Sequence, residues 1–353
     1  MDINAYHELS SIQLKVLEFV DKNDNLDEDF DQLILFLEKI QNNKYEIQIL
    51  LYLVSKISKN HYRSQFFFYK IEKIISYFKK EIKQLFSNEE LFKIFKKSKR
   101  ILLFLFEKGI IIMDKCIYEY LNNKDFLSNY ASYFINEIKK FKNEEINQDN
   151  QENFEQKRKT GENDSYLCSL IRNDSIEEFI IYVNQNNVSL SSKITKSIFE
   201  TNNFLLKNNA TLIEYAAFFG SIQIFNYLHL NNVKFESSLW FAAIHGRNYE
   251  LIQLLENNNI KPSFDSYRSL LDESIRCHHN EIANYIKENY LENADMGENM
   301  LSICLKYYNF ELIQKSFLNE TTFFYLCEYN YYLYVNLFLK TTNIDINKMI
   351  INH

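Results

Sequence analysis

Apolar residues recur at steps of three and four along most of the chain. The spacing is clear in FDQLILFLEKI (Phe30–Ile40), in YEIQILLYLVSKI (Tyr45–Ile57) and across Phe66–Phe86. Such steps bring apolar side chains onto one face of an α-helix. The pattern therefore predicts that residues 1–142 form a helical N-terminal domain.

Several helix ends in this region carry local signals. Ser87 and Glu90 form the Ser-x-x-Glu pattern of a capping box, in which both side chains bind free amides of the first turn. Gly109 is expected to end the helix Ile101–Glu107, since glycine readily adopts the left-handed conformation found there. Ser128–Phe141 is predicted to be the last helix of the region.

The stretch from residue 143 to 165 differs in composition. It reads NEEINQDNQENFEQKRKTGENDS and contains Ile146 and Phe154 as its large apolar residues. A segment this polar buries too little apolar surface to offset the entropy lost on ordering. We therefore expect a flexible polar linker over 143–165.

A unit of two short helices repeats over residues 166–353, most clearly within 211–289. The first spacings between copies are 27 residues (216 to 243) and 31 residues (243 to 274). Asparagines end the second helices, and asparagine tolerates the left-handed conformation of a helix C-terminus. The copies align on a small residue that would let a neighbouring helix approach closely, occupied in turn by Ala216, Ala243, Ser274, Cys304 and Cys327.

One such pair of helices cannot bury its own apolar face, so neighbouring pairs must stack into an elongated array. The scarcity of glycine (5) and proline (1) also favours helices, because folds rich in β-turns need both residues. The predicted fold class is therefore all-α, with an α-solenoid of helix pairs preceded by a helical N-terminal region.

The repeat resembles the ankyrin repeat. Thr211–Gly220 reads TLIEYAAFFG and is similar to the ankyrin pattern T-P-L-H-x-A-A-x-x-G, while TTNIDIN (Thr341–Asn347) resembles the start of an ankyrin hairpin. The whole chain resembles protist, trichomonad-type ankyrin proteins, in which a helical N-terminal domain of unknown function precedes degenerate repeats. Proline is absent from the motif and the hairpins look eroded, so helix pairs are the firmer expectation.

Composition indicates a class of protein more than a function. A net charge of −7 argues against a dedicated nucleic-acid binder, which usually carries a basic domain. Five widely spaced cysteines without a CxxC motif suggest free buried thiols in a reducing compartment. The N-terminus lacks the pattern of a signal peptide and no apolar run approaches the length of a membrane span, so we expect a cytoplasmic protein.

No catalytic constellation or cofactor motif stands out. The cluster Cys277-His278-His279 lies at a turn without a second pair of ligands, whereas a zinc site needs about four. We therefore expect Cys277 to be semi-buried and both histidines to be exposed, and we predict no metal, no cofactor and no enzymatic activity. An enzyme with an unfamiliar site is the remaining alternative to a binding protein.

The resemblance to ankyrin arrays implies a partner surface on their concave face. It places Phe218, Phe219, His245 and Arg276 there as candidate partner-binding residues, whereas Trp240 is expected in the core. Two adjacent aromatic residues cannot both face one core stripe of a helix, so either Phe218 or Phe219 is a candidate exposed anchor. The predicted function is a scaffold or adaptor that binds a protein partner, with no nucleic acid.

The segment from Lys56 to Lys108 offers an alternative function. It contains 14 lysines and arginines against 5 glutamates, which suits an acidic ligand or a peripheral membrane surface. The same lysines alternate with a full apolar stripe, as expected for the solvated faces of ordinary helices. We therefore expect the protein scaffold rather than a membrane-bound adaptor.

Overall fold

We describe a computed structural model of the chain. It describes residues 3–22, 26–41, 43–64, 66–122, 130–145, 151–262, 266–291, 297–313, 320–332, 335–336 and 339. Helices dominate these residues, and the β-structure among them is one isolated bridge between Lys193 and Thr211. The prediction of an all-α protein is confirmed.

The N-terminal region is helical as predicted. The predicted helix Phe30–Ile40 ends in a short 3-10 turn after Leu37. The predicted helical segment Phe66–Phe86 divides into two helices at Phe78. The helices are α1 (Ile3–Asp21), α2 (Leu26–Leu37), the 3-10 turn Glu38–Ile40, α3 (Lys44–Asn60), α4 (Phe67–Tyr77), α5 (Lys79–Leu85), α6 (Asn88–Phe95), α7 (Lys99–Glu107), α8 (Lys115–Leu121), α9 (Tyr130–Tyr133) and α10 (Ile135–Lys142).

Local signals set several of these ends. The Ser87–Glu90 capping box is formed in both directions at the start of α6. Gly109 follows α7 with a left-handed backbone (φ +60°), as expected of a residue just beyond a helix C-terminus. Both signals act within one turn of the chain, which is why the sequence alone predicts them.

The polar stretch 143–165 is more ordered than its composition predicts. Residues Gln151–Thr160 form α11, whereas residues 146–150 lie outside the described part of the chain. The Arg158 side chain is buried and pairs with Glu137 (2.7 Å) and Glu155 (2.6 Å). Buried, hydrogen-bonded ion pairs and the packing of Phe154 on Phe199 (5.5 Å) fix this helix, so the expectation of a flexible linker is wrong for residues 151–160.

The C-terminal part continues with helices joined in pairs. Its second helices α13, α16, α18 and α20 each follow a first helix after a short turn. The bounds are α12 (Tyr166–Arg172), α13 (Ile176–Gln185), α14 (Asn203–Lys207), α15 (Leu212–Phe219), α16 (Ile222–Leu230), α17 (Leu239–His245), α18 (Tyr249–Asn257), α19 (Ser266–Cys277), α20 (Asn280–Tyr290), α21 (Gly297–Tyr307) and α22 (Glu320–Glu328).

One backbone turn recurs after each first helix. In every case an amide donates to the carbonyl five residues earlier, as in Ser221→Ala216 and Asn248→Ala243. The residue before that amide is left-handed, which closes the helix and starts the next one. The left-handed residues are Asp174, Gly220, Arg247, His278, Tyr308 and Asn330.

This register corrects the predicted alignment at its last copy. The last bond runs from Tyr331 to Leu326, so Leu326 and not Cys327 occupies the repeated small-residue position. Cys327 is accordingly exposed, whereas Cys304 is completely buried. All five cysteines are free, but Cys116 is also exposed, so the expectation of buried thiols fails for two of them.

Asparagines end three second helices in the predicted way. Asn187, Asn232 and Asn259 have φ between 50° and 61°, and the amide after each bonds back into the last helical turn. The predicted hairpin over 341–347 lies outside the described residues.

The first helices α15, α17, α19 and α21 pack against one another in chain order. Ala216, Ala243 and Ser274 are completely buried between them, and Gly246 lies so close to α15 that an added Cβ would come within 2.6 Å of the Ala217 carbonyl oxygen. Trp240 is buried as predicted and donates to the Ile260 carbonyl oxygen (2.7 Å).

The N-terminal helices pack on the turns of the paired helices. Gln13 of α1 bonds Asn309 (2.9 Å), Asp21 pairs with Arg247 (2.8 Å), and His61 after α3 reaches the Cys277 carbonyl oxygen (2.6 Å). One continuous apolar core runs from Leu9 to Tyr331 among the described residues. The two regions therefore form one packed body rather than two separate cores.

Candidate functional site

Phe218 and His245 are buried, against the prediction of a partner surface. The short helix α14 covers them: the Phe204 ring lies 5.8 Å from Phe218 and 4.5 Å from His245, and those two rings are 5.4 Å apart. Phe218 is 4% exposed and His245 1%. The three stacked rings are core, so neither residue is available to a partner.

Phe219 is half-buried and also has intramolecular neighbours. Its ring lies 4.8 Å from Tyr215 and 4.9 Å from Phe218, with the Arg172 guanidinium 5.9 Å away. Both aromatic residues are thus accommodated by one helix, because Phe218 faces the α14 cover while Phe219 packs back on Tyr215. The expected exposed anchor is not formed by this pair.

Arg276 is the one predicted site residue that lines an open groove. Its guanidinium pairs with Glu273 (2.7 Å) and lies 5.2 Å from the Tyr307 ring, yet 29% of its side chain remains exposed. Arg276 occupies the repeat position of Phe218 and His245. This position therefore reaches the groove in one of its three copies, whereas α14 covers the other two.

A groove of about 600 Å³ crosses the first helices α15, α17 and α19 beside α14. Phe204 and Phe241 supply its apolar surface. Charges of both signs surround these rings, namely Lys193, Lys207 and Arg276 with Glu214, Glu236 and Glu273. One wall is formed by residues between α13 and α15. These residues have no repeat pattern, so the sequence does not predict where they lie.

Beneath this groove, His245, Glu273 and Cys277 converge. The His245 Nε2 lies 2.6 Å from a Glu273 carboxylate oxygen, and the Cys277 Sγ lies 3.4 Å from the His245 Nδ1. Burial alone would raise the pKa of Glu273, but its hydrogen bond to His245 and the charges of His245 and Arg276 hold that pKa below its ordinary value. Glu273 was missed, although its spacing to Arg276 is that of an i,i+3 helix pair.

The same three residues present one nitrogen, one oxygen and one sulfur within 4.8 Å of one another. Zinc accepts each of these ligand types, and a tetrahedral site would need one more ligand. The side chains of these residues already contact one another in a series that runs from Cys277 through His245 and Glu273 to Arg276. Burial raises the pKa of the Cys277 thiol well above its ordinary range, so the neutral thiol suits a structural role rather than that of a nucleophile.

The predicted cluster Cys277-His278-His279 is not a joint site. His278 faces the Tyr308 carbonyl oxygen (3.4 Å), whereas His279 bonds the Ile244 carbonyl oxygen (2.7 Å). Both histidines are buried and Cys277 is completely buried, so the expectation of an exposed turn is wrong. The cause is His61, whose ring packs over this turn 5.1 Å from His279.

Three basic residues of the Lys56–Lys108 segment serve the fold. Arg63 reaches Thr201 (2.7 Å), Lys99 the Ile198 carbonyl oxygen (2.9 Å) and Arg100 the Lys159 carbonyl oxygen (2.7 Å), so all three connect the N-terminal region to later parts of the chain. These three charges are therefore not part of a free basic face.

Comparisons with known proteins give no family. No family model matches the chain, and neither the curated proteins nor the solved structures show a significant similarity to it. Within the described residues, every helix is too short or too polar to cross a membrane.

Proposed function

We propose that this protein is a non-enzymatic interaction module, an α-solenoid of degenerate ankyrin-type helix pairs that binds a protein segment in the groove beside α14. The recurring left-handed turn and the ordered stacking of α15, α17, α19 and α21 support the solenoid. The groove carries the functional part of the proposal, because it crosses the first helices, which by the resemblance to ankyrin arrays would line the partner face.

The size and lining of the groove suit a peptide segment. A volume of about 600 Å³ holds several side chains, and binding sites commonly combine an apolar floor with a few polar groups that fix orientation. Phe241 offers an aromatic contact on the floor, and Lys207 offers a charge on the wall. An acidic residue next to an apolar one in the partner would satisfy both.

A purified partner, obtained by affinity capture with the full chain, tests the proposal. The double variant Phe241→Ala, Lys207→Glu should weaken its binding at least ~100-fold, since a buried aromatic anchor and a reversed charge each contribute about 2 kcal/mol at an interface. Leu230→Ser is the matched control, because Leu230 is 79% exposed on the second helix α16 and does not line the groove. Equal binding by both variants, with unchanged circular dichroism, would refute the groove as the site.

A further inference from the structure

His245, Glu273 and Cys277 form a buried cluster of metal-ligand side chains between α17 and α19. His245 is the last residue of α17, whereas Glu273 and Cys277 lie four residues apart on one face of α19. All three side chains are buried, and one ligand atom from each lies within 4.8 Å of the other two. Two helices that pack directly on each other therefore bring a nitrogen, an oxygen and a sulfur donor together.

The stacking of adjacent first helices does not itself call for these donors. The repeat alignment gives the residues that occupy the positions of His245, Glu273 and Cys277 in the neighbouring contacts. They are Phe218, Ala242 and Gly246 between α15 and α17, and Arg276, Ile303 and Tyr307 between α19 and α21. Neither set resembles a group of metal ligands, so the combination at the α17–α19 contact needs another explanation.

The distances within the cluster are close to those of a tetrahedral metal site. The Cys277 Sγ lies 3.4 Å from the Nδ1 and 3.8 Å from the Nε2 of His245. Zinc–sulfur and zinc–nitrogen bonds of about 2.3 and 2.0 Å at a tetrahedral angle separate two ligand atoms by about 3.5 Å. The Glu273 Oε1 lies 2.6 Å from the His245 Nε2, so a movement of less than ~1 Å admits an ion in place of the shared hydrogen.

Neighbouring side chains hold two of the ligands in place. Arg276 pairs with the second carboxylate oxygen of Glu273, Oε2 (2.7 Å), which leaves Oε1 directed at His245. The rings of Phe204 and Phe218 lie 4.5 and 5.4 Å from the His245 ring and fix its orientation. Outer contacts of both kinds orient metal ligands, and an apolar shell keeps solvent away from them.

The charges of the cluster suit a divalent ion. A bound metal ion displaces the proton of a coordinating thiol, while imidazole binds it in the neutral form. The Cys277 thiolate and the Glu273 carboxylate together balance the two positive charges of such an ion. Arg276 adds a positive charge nearby, but its guanidinium also interacts with the carboxylate of Asp272.

We propose that His245, Glu273 and Cys277 form a zinc site at the base of the groove. Glu273 also lines the groove, so an ion can enter from solvent at this residue. Three protein ligands leave the fourth tetrahedral position to a water molecule. The sequence does not predict the set, because His245 precedes the other two ligands by 28 and 32 residues. The site does not depend on the protein segment proposed for the groove, and either proposal can fail alone.

Competition for Zn²⁺ with a chromophoric chelator measures the affinity of the metal-free full chain. We expect one ion per chain, and Cys277→Ser and Glu273→Gln should each weaken binding at least ~100-fold, since the loss of an outer partner already costs about 10–100-fold. Cys116→Ser is the control, because it removes an exposed thiol on α8 and should leave the affinity unchanged. No stoichiometric binding, or equal losses in Cys277→Ser and Cys116→Ser, overturns the proposal.

Replacement of the ion by Co²⁺ identifies the donor atoms. A bond between cobalt and a thiolate gives a charge-transfer absorption in the near ultraviolet. This absorption should appear with the parent protein and with Cys116→Ser, and it should be absent from Cys277→Ser. The same absorption in Cys277→Ser would assign the thiolate to another cysteine and contradict the site.

Thermal denaturation keeps the test informative if Cys277→Ser folds poorly. One equivalent of Zn²⁺ should raise the melting temperature of the parent protein, because the ion binds the folded state, and a chelator should reverse the rise. Glu273→Gln keeps the size of the side chain but loses its charge, so it should show little of this rise. Phe241→Ala should show the full rise, since it changes the groove and none of the ligands. An equal rise in Glu273→Gln and in the parent protein would refute the assignment.

Discussion

At the scale of single residues, backbone conformation decides what each turn of the repeat tolerates. Gly220 is left-handed (φ +68°), and nothing lies within 4 Å of the Cβ that a larger residue would add there. Gly246 has an ordinary backbone, but its added Cβ would lie 2.8 Å from the Phe218 carbonyl oxygen. Gly220 is therefore favoured by its backbone conformation, whereas Gly246 is required by the close approach of α15 and α17.

We predict that Gly246→Ala lowers the free energy of unfolding by about 2 kcal/mol, because α17 must move away from α15 to admit a methyl group. Gly220→Asn should cost less than ~1 kcal/mol, since asparagine tolerates the left-handed region. Urea denaturation followed by circular dichroism measures both. A larger loss for Gly220→Asn would reverse the roles assigned to the two glycines.

Phe218 gives a second residue-scale prediction. Because Phe204 and His245 enclose its ring, Phe218→Ala should lower the free energy of unfolding by about 3–5 kcal/mol. Leu230→Ala, on an exposed position of the next helix, should change it by less than ~0.5 kcal/mol. Similar small losses in both variants would indicate that Phe218 lies on a free surface after all.

Local signals made the helices predictable, whereas the cover of the site came from tertiary packing. The capping boxes at Ser87 and Thr211 and the asparagines that end helices act within a few residues. Burial of Phe218 depends on α14, which lies just before α15, and burial of His279 depends on His61, which lies more than two hundred residues earlier. No periodicity in the sequence records either contact.

At the scale of elements, the contact between α3 and the turn after α19 is sensitive to acid. His61 faces the Cys277 carbonyl oxygen with Nδ1 and Asp21 with Nε2 (2.7 Å), and Asp21 also binds Arg247. Burial tends to raise the pKa of Asp21, but His61 and Arg247 hold it below its ordinary value. The adjacent His278 is neutral, because burial and the charge of His61 lower its pKa to about 3.

A neutral histidine in the fold makes stability depend on pH. The unfolded state takes up a proton below its pKa of 6.5 while folded His278 does not until about pH 3, so stability falls as pH drops through that window. At pH 5 the loss from His278 is about 2 kcal/mol. His278→Asn should keep the left-handed turn (φ +60°) and reduce this loss, as urea denaturation at pH 7 and pH 5 would show.

An unchanged pH dependence in His278→Asn would contradict the buried, neutral state of this histidine. Leu230→Ser provides the control, because Leu230 is exposed on α16 and has no titratable group. Leu230→Ser should leave the difference between pH 7 and pH 5 as it is in the parent protein.

At the scale of the whole molecule, one core connects the N-terminal helices to the repeat. Gln13 donates to Asn309 and accepts from the Glu311 amide (3.2 Å), while Asn309 also donates to the Ile275 carbonyl oxygen (3.0 Å). This chain of amides ties α1 to two successive turns. The whole chain should therefore unfold as a unit.

We predict that Gln13→Ala, in the N-terminal region, lowers the denaturation midpoint of the repeat by the equivalent of about 2 kcal/mol, since it leaves buried polar groups unpaired. Trp240, the single tryptophan, reports on the repeat by fluorescence, and circular dichroism reports on all helices. The two transitions should coincide and shift together. A fluorescence transition that is unmoved by Gln13→Ala would mean that the regions unfold independently.

Site-specific photo-crosslinking is the sharpest test of whether a protein segment binds in the groove beside α14. A photoreactive phenylalanine analogue at Phe241 should give a covalent adduct with the purified partner, with the crosslinked peptide identified by mass spectrometry. The same analogue at Leu230, on the exposed side of α16, should give none. Adducts from position 230 and none from position 241 would contradict the account.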